Sequence, residues 1–176
     1  ITLVRPLVLD LGAFAKGLAI DLAAHELRAF SNFAIDAGGD LYLAGHNASD
    51  ERWSIGIRHP RLDHELIDTI HVSNAAVCTS GDYERTAPAQ DGHHIIDPRT
   101  GASAQQVASV TVVAPTAMLA DALATAAFVL GPDAGIALFE RHEVDGLIVL
   151  PNLERLATRG MCDLYGLGHG AAAATR

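Results

Sequence analysis

A chain of 176 residues with 49% hydrophobic content and mean hydropathy +0.22 has a one-domain length and ample apolar material for a core, which excludes wholesale disorder. A net charge of -9, a pI near 5.3 and twelve Lys and Arg that form no run argue against a nucleic-acid-binding surface, because phosphate backbones repel such a protein. Cys78 and Cys162 make neither a zinc spacing nor a disulfide framework, and no apolar run reaches the roughly 18 residues of a membrane span, so the chain as given is expected to be soluble.

Taken in order, Leu3 to Leu9 predicts a short strand, interrupted by Pro6 and ending at Asp10-Leu11-Gly12. The chain enters it with no lead-in polar residues, which predicts a fragment or processed form of something longer. From Phe14 to Phe30, apolar residues at Leu18, Ala19, Leu22, Ala23, Leu27 and Phe30 recur at helical spacing and predict an amphipathic helix. Asn32 to Ala37 and Leu41 to Ala44 predict strands joined by a tight Gly38-Gly39-Asp40 turn. Alternation predicts strands at Arg52 to Arg58 and Leu66 to Val72, with a polar loop from His59 to Glu65, and Ala75 to Thr79 predicts another strand.

Tyr83 to Asp91 reads as a loop, followed by a short strand from His93 that ends in the turn Asp97-Pro98-Arg99-Thr100-Gly101. Period two sets His94 and Ile96 on one face and His93, Ile95 and Asp97 on the other. Two adjacent histidines cannot both face a core, so at least one meets solvent or a ligand. Val107 to Ala114 is strongly β, and Thr116 is the expected cap of a helix from Met118 to Leu130. A helix from Ala134 to Glu140 and a hairpin of Val144 to Leu150 with Glu154 to Arg159 complete the fold. GLGHGAAAATR is expected to fray, leaving one domain over residues 1–165 and a tail over 166–176. Many antiparallel-type strands with three helices predict a layered α+β fold.

The apolar helix MLADALATAAFVL carries Asp121 and Thr125. Residues four apart share a helix face, about 6 Å apart along the axis, so a carboxylate and a hydroxyl there can address one ion. A buried carboxylate needs a partner. The plainer alternative is that Asp121 caps the helix and Thr125 bonds back to a backbone carbonyl.

Four motifs together resemble the ApbE family, the FAD:protein FMN transferases: DLGAFAKGLAID (Asp10 to Asp21), DAGGD (Asp36 to Asp40), TSGDYE (Thr79 to Glu84) with HHIIDPRTG (His93 to Gly101), and SVTVVAP running into ADALAT (Ser109 to Thr125). Their order and spacing over most of the chain make the resemblance specific. The chain departs from the family pattern at Ala13, where Gly is common, at Asp36, where Asn is common, and at Leu18, where Tyr is common; the last two bear on flavin contacts.

The resemblance implies a mixed and antiparallel, T-fold-like architecture and an enzyme that moves FMN from FAD to a threonine of an acceptor flavoprotein in an electron-transfer complex, releasing AMP. It implies Mg2+ held by Asp121, Thr125 and the main-chain carbonyl of Ala13, with FAD phosphates completing a shell of about six oxygens. Lys16, Asp21, Ser80, Gly81, Asp82, His94 and Ile95 would line the FAD site, and His94 would handle the acceptor's proton while Asp121 serves catalysis through the metal. It also implies an upstream segment, in cis or as a separate piece, that supplies part of the FAD pocket. A periplasmic setting with a lipoprotein anchor on a longer form follows from resemblance alone. Two alternatives remain: a metal-dependent FAD pyrophosphatase yielding FMN and AMP, and a non-catalytic flavin-binding or structural remnant.

Overall fold

The structure is a computed structural model that describes residues 4, 6, 10–83, 86–87, 92–168 and 172–173. The strand expected over Leu3 to Leu9 lies outside the described residues apart from Val4 and Pro6, and most of the loop expected over Tyr83 to Asp91 lies outside them too.

The fold is α+β. In chain order the elements are α1 (Ala15–Glu26), β1 (Phe33–Ala37), β2 (Asp40–Ala44), β3 (Trp53–Arg58), β4 (Leu66–Val72), β5 (Ala75–Gly81), β6 (Thr86–Ala87), β7 (Gly92–His93), β8 (Ser109–Ala114), α2 (Ala117–Leu130), α3 (Pro132–Arg141), β9 (Asp145–Val149), β10 (Arg155–Ala157), α4 (Arg159–Asp163) and β11 (Ala172–Ala173). Seven strands form one sheet in the order β1-β2-β5-β8-β9-β10-β11, antiparallel except for the β10/β11 pair. The β3–β4 hairpin and the short β6–β7 pair stand apart from it.

β8 lies at the centre of the sheet, and all six of its residues are buried. Period two divides its side chains between two cores. Val110, Val112 and Ala114 meet the helices, together with Ala76, Cys78 and Ile148. Val113 meets the β3–β4 hairpin and α4, together with Leu43, Val77, Ile57, Ile70 and Met161. The result is three layers: helices, sheet, then hairpin with α4.

α2 fits closely on the sheet because the face it buries is built from small residues, with Ala117, Ala120, Ala124 and Ala127 at zero exposure around Phe128. Thr116 caps it as expected, its side chain accepting the Leu119 amide at 3.3 Å.

Several expectations are corrected. α1 ends at Glu26 rather than Phe30, since the Arg28 amide returns to His25 O, three residues back. Its apolar stripe does not define its buried face: Leu18, Leu22 and Phe30 are exposed, while Gly17 and Ile20 are buried. Thr86–Ala87, inside the stretch expected to be loop, forms a short strand that pairs with Gly92–His93. The strand expected over Glu154 to Arg159 stops at Ala157, and Arg159 opens α4. Of the described residues in the segment expected as a tail, Leu167 is buried, the Gly168 amide bonds Asp68 Oδ2 at 3.1 Å, and Ala172–Ala173 pairs with β10.

Candidate functional site

The centre of the site is the crossing of α1 and α2. α1 begins after a turn in which Leu11 O accepts the amides of Phe14 and Ala15 at 3.2 and 2.9 Å, and Ala13 sits exposed in that turn. Gly17 is the third residue of α1, so its amide is one of the four at a helix start that have no partner inside the helix. That amide goes to Oδ2 of Asp121 on α2, at 3.0 Å. Glycine is needed at the crossing, because a Cβ on Gly17 would lie 2.3 Å from the carbonyl oxygen of Ala117.

α1 returns the contact. The two oxygens of Asp21 accept the amides of Ala117 and Met118, the first two of α2, at 2.7 and 2.9 Å. These amides have no partner within the helix, and the positive end of its dipole favours a carboxylate there. Asp21 was expected at the nucleotide site; its carboxylate is committed to joining the two helices.

Asp121 is 7% exposed, and it does not cap its own helix. Burial pushes its carboxyl above the ordinary value; the Gly17 amide acts in the opposite direction, the charge of Asp40 adds to the rise, and the Lys16 ammonium opposes it. Thr125, one turn along α2, reaches across to β5 rather than back along its helix, its Oγ1 lying 3.1 Å from Oγ of Ser80. Lys16 projects from the first turn of α1 and pairs with the buried Asp40 of β2, Nζ to Oδ2, at 2.8 Å.

Ala13, Asp121 and Thr125 offer a carbonyl, a carboxylate and a hydroxyl. An all-oxygen set with a single charge fits Mg2+, which binds few protein groups and takes the rest of its oxygens from water or phosphate. Among the described residues no group of three or more His, Cys, Asp or Glu converges to hold a metal, so an ion here relies on this mixed set.

The other expected residues lie around this centre. Gly81 ends β5 where a Cβ would strike the Tyr83 ring at 2.6 Å. Asp82 is clamped by Arg61, whose two guanidinium nitrogens donate to its two oxygens at 2.7 Å each, while Arg58 lies over the Tyr83 ring at 5.0 Å. Both arginines were missed in sequence, where nothing links them to the TSGDYE motif.

The two histidines divide as period two predicts. His93 turns inward, with Nε2 2.7 Å from Ala104 O and its ring edge-on to Phe128 at 5.3 Å, whereas His94 is exposed. Phe128 lies three residues beyond Thr125, so His93 anchors the His94 segment to α2. Ile95 is in the core, its amide donating to His93 Nδ1 and its carbonyl accepting from Ala104. The DPRTG turn is locked by Arg99, which donates to both oxygens of Asp97 and to Val129 O at the end of α2.

Residues 3–148 match the model of the ApbE family. The chain belongs to that family. It is 39% identical over 174 residues to an FAD:protein FMN transferase of Treponema pallidum, covering 88% of this chain and 47% of the relative. It is 36% identical over 151 residues to the Vibrio cholerae protein of the same name, covering 82% and 45%. The crystal structure of the ApbE protein from Thermotoga maritima matches with a TM-score of 0.75 at 40% identity, over 84% of this chain and 50% of that one. The chain thus spans about half the length of the curated relatives it matches. Within this ApbE fold, the α1–α2 crossing, the end of β5 and the His94 hairpin are the parts that carry the expected site residues.

Proposed function

We propose that this chain carries the metal and phosphate side of a Mg2+-dependent FAD:protein FMN transferase, which moves FMN from FAD to a threonine hydroxyl of an acceptor flavoprotein and releases AMP. One observation carries the reading: the buried Asp121 carboxylate is held at the start of α1 by the Gly17 amide, the helix end that also carries the exposed Ala13 turn and Lys16. The names of the relatives, FAD:protein FMN transferase, support the flavin chemistry.

In this reading Asp121, Thr125 and the Ala13 carbonyl hold Mg2+, which when bound supplies neutralisation of the negative charge on the phosphates. Lys16 meets the FAD pyrophosphate as a point charge, with Ser80, Gly81 and Asp82 along the same wall. The acceptor threonine oxygen attacks the FMN-side phosphorus, the bond to the AMP-side oxygen breaks, and AMP leaves with that oxygen. His94, exposed beside the helix that carries Asp121, takes the threonine's proton or orients its hydroxyl. The acceptor belongs to an electron-transfer complex, and the setting is periplasmic, with a longer form carrying a lipoprotein anchor; these finer points rest on family likeness.

The test is a product assay with FAD, Mg2+ and a threonine-containing acceptor peptide. Transfer yields AMP and covalently flavinylated peptide in equal amounts. AMP and free FMN with an unmodified peptide would replace this reading with FAD hydrolysis.

A further inference from the structure

Asp40 is a buried charge that the chemistry above leaves unused. It opens β2 and is 2% exposed. Leu41 and Leu43 pack toward the hairpin, which sets Asp40 and Tyr42 on the helix side of the sheet, beneath α1. Its Oδ1 accepts the amide of Thr79 on the neighbouring strand at 3.2 Å, which fixes the carboxylate in place. Its Oδ2 is buried and pairs with Nζ of Lys16 at 2.8 Å.

A buried carboxylate is costly unless it is paired, and Lys16 is the cation that this oxygen meets. The Thr79 amide needs only one oxygen, which an amide or hydroxyl side chain would supply. What full charge adds at this position is a hold on Lys16, whose side chain is 43% exposed and would otherwise sample many rotamers. Burial works against the ammonium, but the contact with Asp40 and the charges of Asp40 and Asp121 outweigh it and hold Lys16 above its ordinary value.

We propose that Asp40 is a positioning residue: anchored to β5 through Thr79, it tethers the Lys16 ammonium at the first turn of α1, next to Gly17 and Asp121, preset for the diphosphate of a bound dinucleotide. This rests on the reading that Lys16 meets the FAD pyrophosphate. A tethered lysine has already given up the rotamer freedom that a free one loses on binding, so the tether strengthens binding without touching the ligand.

The test is Mg2+-dependent FAD binding, measured by isothermal titration on the unsubstituted chain, Asp40→Asn, Lys16→Met and the double variant, each supplied with the upstream segment that the family resemblance implies for the FAD pocket and each checked for an intact thermal transition. Asn keeps an oxygen for the Thr79 amide and removes the charge; should it fail to fold, Asp40→Ser takes its place in the same cycle. Each single substitution is expected to weaken FAD binding on the order of tenfold, with the double variant no weaker than Lys16→Met, because Asp40 acts only through Lys16. Additive losses would show a merely structural carboxylate and overturn the proposal. Unchanged binding in Asp40→Asn also overturns it, as does tighter binding, which would mean that the carboxylate competes with the phosphates for the ammonium. If Lys16→Met weakens binding while Asp40→Asn is silent, the reading of Lys16 stands and only the role of Asp40 falls. If Lys16→Met binds FAD normally, or the unsubstituted chain takes up none, the underlying reading falls and the proposal with it.

Discussion

Asp21 and Asp121, one on each of two crossing helices, cap each other's helix: Asp21 of α1 accepts the first two amides of α2, and Asp121 of α2 accepts the Gly17 amide in the first turn of α1. The two contacts differ in kind. Asp21 uses both oxygens and is structurally complete, while Asp121 gives one oxygen to a single amide in a buried setting that disfavours its charge. That contrast separates the helix joint from the proposed ion ligand.

Asp121→Asn is expected to stabilise the metal-free chain while removing its response to Mg2+. The sign follows from the raised carboxyl: a folded state that binds the proton more tightly than the unfolded one loses stability as pH rises from the unfolded value of 3.8 through the folded one. The gain in the Asn variant should therefore be absent at low pH and complete above that window. Thermal melting across pH, with and without Mg2+, checks both halves. A variant that melts lower than the parent at neutral pH, or still gains stability from Mg2+, counts against the assignment.

Thr125→Val removes a neutral ligand and the partner of Ser80 Oγ but keeps the shape. Titrating Mg2+ against transfer rate should show a raised Mg2+ requirement with turnover largely recovered at saturation. An unchanged requirement would leave Thr125 as a strand-to-helix hydroxyl contact and nothing more.

Gly17→Ala drives a methyl into backbone, and a backbone carbonyl cannot move aside as a flexible side chain could. The helices must part, at a cost of about 1–3 kcal/mol for overpacking. Because the Gly17 amide then moves off Asp121, the Mg2+ response should weaken together with stability. Denaturant unfolding with a Mg2+ titration reads the two; full retention of the Mg2+ response alongside lost stability would uncouple the joint from the site.

His94→Ala should lower transfer roughly 10²- to 10⁴-fold, the usual range for general acid–base catalysis, without a matching loss of FAD affinity. His93→Ala is the control, expected to lower stability through loss of the Phe128 and Ala104 contacts. Kinetics and melting on both variants separate them, and a normal transfer rate in His94→Ala would remove it from the chemistry.

Features set by near neighbours were legible in the sequence. β4 runs from Leu66 to Val72 as its alternation predicts, Thr116 caps α2, and period two sends His93 inward and His94 outward, because backbone pleat and helix-start geometry depend on residues two to four positions away. That Asp121 and Thr125 sit one turn apart on one helix was legible for the same reason. What the tertiary structure alone decided were the partners. Gly17 lies 104 residues from Asp121 and Asp21 96 residues from Ala117, and neither contact has a local signature. Arg61 and Asp82 meet across 21 residues only because the β3–β4 hairpin lays its loop beside the end of β5. Even the buried face of α1 was decided at a distance: its apolar stripe pointed one way, but close approach at Gly17 and two buried or half-buried carboxylates turned the helix so that Leu22 faces out. Hydrophobic burial is non-directional and tolerates several helix rotations, whereas a backbone crossing and paired carboxylates accept only one.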